Sequence, residues 1–281
     1  MKLSQVQTLF GIQLSSLYPK EEWMSFFYQL VEFYLKEPRF ILHMNPEYEL
    51  DRKQCDLFME ALNDLKHYKP IQYIIGQVEF MDLKLEVNSS VLIPRPETED
   101  LIIYLDKTLK DNPLKRILDI GTGSGCIGLS LKQRVSGAVV DLMDVSTKAL
   151  DVAQKNAESN NLKVSLIHAN VLELNGLDHN YDLIVSNPPY VRMLEKDQMY
   201  ANVLTYEPHL ALFVPDEDPL LFYRKIAMLA KKQLNNGGQL FFEINEAFGE
   251  MTVTLLNSIG FKEIKLISDR FGKDRIVSAR V

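Results

Sequence analysis

The chain has 281 residues, of which 46% are hydrophobic and 25% charged, and a formal net charge of −7. That length suits one large domain or two smaller ones, and the composition is that of a soluble globular protein. No run of about 18 apolar residues occurs, which excludes a membrane-spanning helix, and the acidic balance argues against a protein that grips duplex DNA through its phosphates. The two cysteines, Cys55 and Cys126, stand far apart in different predicted domains. A disulfide is therefore not expected, and a reducing cytoplasm is the natural compartment. The five histidines have no metal-ligand spacing, so no metal is expected. The opening Met1–Gln5 runs into an amphipathic pattern and not into a signal-peptide core.

Helical periodicity dominates the first 75 residues. Trp23, Phe26, Phe27, Leu30, Val31 and Tyr34 fall on one helical face, and Phe58, Ala61, Leu62 and Leu65 repeat the pattern. An aromatic stripe of this kind reads as core, so residues 1–75 are expected to form a small helical bundle. Between Gln77 and Pro94 the period changes to two. Val78 and Phe80, then Leu83, Leu85 and Val87, alternate as strands do around a Met81-Asp82 turn. This hairpin, within residues 76–95, is expected to link the bundle to a third region, residues 96–281. There strands and helices alternate as an α/β fold with a parallel-based sheet requires.

The α/β region opens its chemistry with Arg116-Ile-Leu-Asp119-Ile-Gly121-Thr122-Gly123-Ser124-Gly125. A short apolar strand runs into a glycine-rich turn, where a close ligand needs unusual dihedrals and no side chain in the way. Alone, such a turn fits a Rossmann nicotinamide site, a nucleotide loop or a plain strand–helix connection. A phosphate-binding P-loop is excluded because no Gly-Lys-Ser/Thr follows. The next strand ends at Asp144, 25 residues after Asp119. There an acid can accept from the two ribose hydroxyls of an adenosine ligand. Asp141 is a rival acid inside that strand, and a solvated loop acid is the bland alternative. Ser146 is placed to cap the following helix.

The apolar run Tyr181–Ser186 leads into Asn187-Pro188-Pro189-Tyr190, at the strand end where open α/β sheets bind ligands. Asn187 offers a side-chain carbonyl, and Pro188 a backbone carbonyl on a stiff segment without a competing N–H. Tyr190 adds an aromatic wall. Two fixed acceptors beside an aromatic face suit a planar NH2 group, with its lone pair turned toward a third partner. The alternative is a Pro-rich turn with Asn as a turn residue. The stretch from Val191 to Glu217 is long for a loop, which signals a lid or a partial helix. Asp218-Pro219 suits a helix start for a segment through Leu234, with Gly237 as its stop. Two last strands, Glu263–Ser268 and Arg275–Val281, read as an antiparallel pair at the sheet edge.

Taken in order, the Asp-x-Gly-x-Gly-x-Gly turn, the ribose acid and Asn-Pro-Pro-Tyr resemble Rossmann-like S-adenosylmethionine (SAM) methyltransferases that modify amide or exocyclic amino nitrogens. More narrowly, the chain resembles the release-factor glutamine methyltransferase family. Matching segments are Pro70-Ile-Gln-Tyr-Ile-Ile-Gly76, Val78-Glu-Phe80, Leu92-Ile-Pro-Arg-Pro-Glu-Thr-Glu99, Tyr206-Glu-Pro-His-Leu-Ala-Leu-Phe213 and Phe271-Gly-Lys-Asp-Arg275. The resemblance implies methyl transfer from SAM to the side-chain amide of the glutamine in the Gly-Gly-Gln motif of peptide chain release factors, leaving S-adenosylhomocysteine. It implies that Gly121, Thr122, Gly123, Ser124, Gly125, Asp144, Asn170, Val171 and Asn187 hold the cofactor. Asn187, Pro188, Pro189 and Tyr190 would hold the substrate, with Asn187, Pro188 and Tyr190 acting in catalysis. The amino-terminal domain would help hold the release factor.

The chain departs from the family at Asn170-Val171, where an Asp and a larger apolar residue are usual. It departs again at Val214–Asp218, which replaces a Gly-rich segment, and at Glu243-Ile244-Asn245 in place of Glu-Ile-Gly. A cytoplasmic monomer, without direct nucleic-acid binding, is the expected state. Two other readings stand beside this one. The first is a SAM-dependent methyltransferase of an exocyclic base nitrogen, which shares the NH2 recognition. The second is a catalytically silent binding protein, whose signature would be failure to bind SAM.

Overall fold

A computed structural model describes residues 1–109 and 114–281; residues 110–113 of the expected 96–281 region lie outside the described residues. The chain falls into two compact units. One comprises Met1–Gly76 with Tyr200–Tyr206, the other Gln77–Met199 with Glu207–Val281.

The first unit is helical, with α1 (Leu3–Leu14), α2 (Lys20–Leu30), α3 (Ile41–Met44), α4 (Arg52–Lys66) and α5 (Ile71–Ile75). On α1, Leu3, Val6, Phe10 and Leu14 are buried at helical spacing, and Phe27 and Leu30 of α2 join them in one core. Trp23, Phe26 and Tyr34 of the predicted stripe pack partly buried at the rim of this core. The stripe's last turn, Val31–Leu35, widens into a π turn that keeps Val31 buried. Phe10, Phe27 and Phe58 meet edge-on or tilted, with ring centroids 5.3–6.3 Å apart. Each such buried side chain contributes about 1.5–3 kcal/mol relative to exposure. Asp51 caps α4 by accepting from the Gln54 N–H at 2.7 Å, as the first orphan amides of a helix require.

The second unit begins with the hairpin β1 (Gln77–Phe80) and β2 (Leu83–Glu86), which turns at Met81-Asp82. Phe80, Leu83 and Leu85 join the same buried cluster as the sheet, so the hairpin is built into this unit. After α6 (Pro96–Leu109) come β3 (Arg116–Ile120), α7 (Cys126–Arg134), β4 (Val139–Asp144), α8 (Thr147–Ser159), β5 (Ser165–His168) and β6 (Tyr181–Ser186). Next in the chain lie β7 (Val191–Arg192), α9 (Ala201–Tyr206), β8 (Phe213–Val214) and α10 (Leu221–Gln233). β9 spans Leu234–Glu243, and α11 (Gly249–Ile259), β10 (Lys262–Ser268) and β11 (Asp274–Arg280) end the chain.

The seven-stranded sheet has the order β10-β11-β9-β6-β3-β4-β5. β9, β6, β3, β4 and β5 are parallel, and β11 is antiparallel to both neighbours. This is the expected mixed sheet with an antiparallel pair at one edge. Successive residues of a strand point to opposite faces. Accordingly Ile117, Leu183 and Val185 enter one buried cluster, while Leu118, Ile120 and Ile184 enter the other. Strand order reverses at β3 and β6, so the cleft above their carboxyl ends is where such sheets bind ligands.

The segment after Val214 differs from the sequence expectation. Helix α10 starts at Leu221, past Pro219, and the chain passes directly from Gln233 into β9. Gly237 is not a helix stop; at φ +77° it lies at a bulge within β9. There Tyr181 pairs with Leu234, but Leu183 pairs with Gln239. The long stretch from Val191 carries short helical turns, and parallel pairing of Val191 with Phe213 and Arg192 with Val214 ties its base together. Among the described residues no helix is long and apolar enough to cross a membrane.

Gly128 of α7 allows helix and sheet to close tightly, because an added Cβ would lie 2.2 Å from Leu142 Cδ2 and 3.0 Å from Asp119 Oδ2. Gly128→Ala is expected to destabilise the protein by about 1–3 kcal/mol through overpacking. A urea-unfolding midpoint equal to the parent's would show that Leu142 can move aside.

Candidate functional site

The site grows from the end of β3. Gly121, Gly123 and Gly125 have φ values of +72°, +55° and +83°, in the region where a Cβ is disfavoured. Gly121 and Thr122 donate their N–H groups to Met143 O, at 2.8 and 3.0 Å, which ties the turn to the end of β4. Beneath it lies Asp119, wholly buried. Its Oδ2 accepts from Thr122 Oγ1 at 2.6 Å and from the Gly128 N–H at 2.9 Å. Burial pushes its carboxyl up to about 6, against the pull of those two hydrogen bonds. Its Oδ1 has no hydrogen-bond partner among the described residues, nor does the buried Ser124 Oγ.

Asp144 ends β4 facing this turn. Its Oδ2 accepts from the Gly123 N–H and its Oδ1 from the Ser146 N–H, both at 2.9 Å. Partial burial raises its pKa. Each carboxylate oxygen still has a lone pair available for a ligand hydroxyl. Ser146 caps α8 by accepting from the Ala149 N–H at 3.2 Å. Asp141 is engaged elsewhere: it is buried, ion-paired to Arg116 Nε at 2.9 Å and bonded to Tyr181 Oη at 3.0 Å. Only Asp144 of the two rivals lines the cleft. After β5, Asn170 accepts from the Leu172 N–H at 3.1 Å and donates to Glu173 at 2.7 Å. Asn170 and the buried Val171 also line the cleft.

The other wall comes from the end of β6. Ser186 Oγ donates to Ile120 O at 2.7 Å, which holds the ends of β6 and β3 together and sets Asn187 beside the glycine turn. Asn187 Nδ2 donates to Thr98 Oγ1 at 3.5 Å. Ser186 pairs with Phe242 in parallel register, which brings Asn187 beside Glu243 at the end of β9, and Thr98 and Asn187 favour the ionised form of its carboxyl. Thr98 and Glu243 are buried. Burial pushes the Glu243 carboxyl up to about 7, opposed by Thr98 and Arg275. Asn187, Pro188 and Pro189 line the cleft.

Tyr190 does not line it. Its ring packs against the second core cluster, facing Glu243, Arg275 and Arg95, and burial raises its pKa. The expected aromatic wall is therefore a support behind the tetrapeptide. The physical reason is that the chain enters β7 at Val191, whose N–H bonds Leu212 O, and the ring takes the apolar side.

The cleft has a cavity volume of about 240 Å³. Sequence reasoning missed several residues of it. Arg95 and Phe222 line it, and Arg95 pairs with the buried Glu207, which also accepts from the Ile93 N–H at 3.3 Å. The Pro-Arg-Pro-Glu-Thr and Tyr-Glu-Pro segments already contained Arg95 and Glu207, but a pair 112 residues apart in sequence leaves no local signal. Cys126 also lines the cleft, yet enclosure of its thiol pushes the pKa up to about 12, so it stays protonated. Among the described residues no cluster of His, Cys, Asp and Glu could hold a metal ion.

A polar end built from Asp144 and Ser124 accepts hydrogen bonds, while Val171 supplies an apolar wall. Together they fit an adenosine ligand carrying hydroxyl and ammonium groups. Sheet order, glycine turn and cleft define a SAM-dependent methyltransferase of the Rossmann-like class. Residues 101–211 match the family model "Methyltransferase small domain", and residues 26–76 match "PrmC N-terminal domain". A release factor glutamine methyltransferase from Flavobacterium psychrophilum is 48% identical over 280 residues, covering 99% of this chain and 98% of that protein. Another, from Bacteroides thetaiotaomicron, is 48% identical over 217 residues, covering 76% of this chain and 77% of the relative. A methyltransferase structure from Pyrococcus furiosus superposes with a TM-score of 0.52 at 20% identity, covering 71% of this chain and 89% of that one. The chain belongs to the release factor glutamine methyltransferase family.

The buried Asp119 has a stability consequence. Folding raises its carboxyl pKa from 3.8 to about 6, so the unfolded chain ionises first. Rising pH across that window weakens folding, by at most about 3 kcal/mol. Asp119→Asn removes the titration while keeping one acceptor. Its stability relative to the parent is expected to improve from pH 4 to pH 6 in parallel urea titrations. A constant difference over that range would mean Asp119 is ionised throughout.

Proposed function

We propose that this chain transfers a methyl group from SAM to the side-chain amide nitrogen of the glutamine in the Gly-Gly-Gln motif of peptide chain release factors. The observation that carries the reading is Asn187 at the end of β6, lining the cleft beside the glycine turn with its NH2 donated to Thr98. Family membership supports the choice of substrate. When bound, SAM supplies an electrophilic methyl on a sulfonium and is left as S-adenosylhomocysteine.

The chain's residues do the positioning. Gly121, Thr122, Gly123, Ser124 and Gly125 form the close turn under the methionine arm. Asp144 accepts from the ribose hydroxyls. Asn170 and Val171 flank the adenine. Asn187 Oδ1 and Pro188 O each accept one N–H of the substrate amide, which aims its nitrogen at the methyl. Pro189 shapes the same wall, and Tyr190 backs it. An amide nitrogen is a poor nucleophile because its lone pair is delocalised into the carbonyl. Holding the reactants in line can contribute roughly 7–11 kcal/mol, and the product proton leaves late without a strong base. The helical residues 1–75 hold the release factor, the 76–95 hairpin joins them to the 96–281 methyltransferase region, and one copy suffices because every site residue comes from one chain. A translation factor as substrate sets the cytoplasm as the compartment.

Methyl transfer from labelled SAM to a purified release factor, beside its Gly-Gly-Gln→Gly-Gly-Ala variant, tests the reaction. Label on the parent release factor alone, mapped to that glutamine, is the expected result; no label on either, with SAM binding intact, sends the search to base nitrogens and other protein amides. Calorimetry separates the residue roles. Asp144→Ala is expected to weaken SAM binding at least about tenfold, the scale of a lost hydrogen bond to a charged group. Asn187→Ala should leave SAM affinity within about threefold while turnover falls by about a hundredfold or more, as loss of one transition-state hydrogen bond does. Equal losses of binding and turnover in Asn187→Ala would remove it from amide recognition.

A further inference from the structure

The end of β9 holds a group that the proposed reaction does not use. Glu243 is buried with about 1% of its surface exposed, and its Oε2 has no hydrogen-bond partner among the described residues. An ionised carboxylate in a core is costly unless paired. Its surroundings are Thr98 and Glu97 on α6, Asn187 and Tyr190 after β6, Tyr223 on α10, Arg275 on β11 and Cys126 at the start of α7. Arg275 is the one cation of that set, and it is also held by Asp269 at 3.3 Å.

The two ends of an asparagine amide are nearly equal in size and opposite in hydrogen bonding. A half-turn about its last bond would therefore exchange acceptor for donor at the cleft. A carboxylate only accepts, so it must face the NH2 of Asn187. Thr98 Oγ1 accepts from Asn187 Nδ2 at 3.5 Å, so its single hydroxyl hydrogen is free for the neighbouring carboxylate, whose ionised form it favours. In this arrangement each of the three side chains is used in its proper sense, and Asn187 Oδ1 is sent outward. With the amide reversed, Oδ1 would face the carboxylate, and its NH2 would meet the NH2 of the substrate.

We infer that Glu243, with Thr98, is a positioning residue that locks the Asn187 amide in the orientation that accepts the substrate N–H. This rests on the amide-methylation reading above. Reversed, Asn187 would donate to the substrate carbonyl and bind the glutamine with its nitrogen turned away. Loss of the lock therefore lowers kcat without raising KM for the release factor. Protonation of Glu243, whose carboxyl burial pushes up to about 7, supplies a donor and releases the lock. Turnover rises as pH passes upward through that value, a range in which the substrate amide itself does not titrate.

The test uses Glu243→Gln, Asn187→Asp and the double variant, with SAM affinity measured for each. Glu243→Gln is expected to lower kcat by about 10–100-fold, the scale of losing a partner that orients an active-site side chain. Its SAM affinity and KM should hold, and the rise through pH 7 should vanish. Asn187→Asp alone sets two carboxylates against each other and is expected to be the least active. The double variant should recover activity over both single ones, because the carboxylate then after β6 has no NH2 to misdirect and the amide then at the end of β9 can donate to it. Full activity of Glu243→Gln with an unchanged pH profile overturns the inference. So does a loss of SAM binding in proportion to kcat, or a double variant no better than its parents.

The side-chain 15N–1H signals of Asn187 give a readout free of any substrate. They should titrate near pH 7 in the parent and be invariant in Glu243→Gln, and invariance in both also overturns the inference. Failure to label a release factor would instead count against the proposed substrate, leaving the NMR result to decide the lock.

Discussion

The hydrogen bonds that Asp119 accepts from Thr122 Oγ1 and the Gly128 N–H hold the turn between β3 and α7 in a shape most residues resist. The turn's glycines can adopt left-handed dihedrals, but freedom alone fixes nothing; the carboxylate beneath supplies the constraint. From that fixed turn Gly123 reaches Asp144, and Ser186 binds the last carbonyl of β3. The ends of β3, β4 and β6 are thereby held in one arrangement. A site whose chemistry is mainly positioning depends on this rigidity more than on any reactive side chain.

Each wall of the cleft has a carboxylate set behind it. Asp119 underlies the glycine turn and Glu243 underlies Asn187; both are buried and both are shifted upward by desolvation. Burial of this kind lowers stability, and the surrounding apolar clusters on the two sheet faces offset it. The arrangement trades stability for fixed hydrogen-bond direction, which amide recognition requires because the two ends of an amide differ in little else.

Much of this is legible in the sequence where the signal is local. Apolar spacing on α4 and in the hairpin picks out the right faces, and a Ser two residues past Asp144 caps α8. The glycine turn and Asn-Pro-Pro-Tyr lie on the expected strand ends. Legibility fails where partners are distant. Nothing near Arg95 announces Glu207, and Glu243 reads as one more residue at a strand end until β9 is laid beside β6. Tyr190 escapes a sequence reading because aromatic character does not tell which side of a turn a ring will take. Gly237 escapes it because glycine serves a bulge as well as a helix end.

The division of the chain also constrains how such a protein can be rearranged. The backbone passes between the two units three times, at Gly76, at Met199 and at Tyr206, since Tyr200–Tyr206 is counted with the helices. Within that first unit the Tyr206 hydroxyl donates to His67 O at 2.8 Å. A single crossover in the gene can therefore not exchange one unit cleanly for another. Any chimaera cut after Gly76 would carry the Tyr200–Tyr206 stretch matched to helices it no longer has, so the two units are expected to diverge together as one heritable piece.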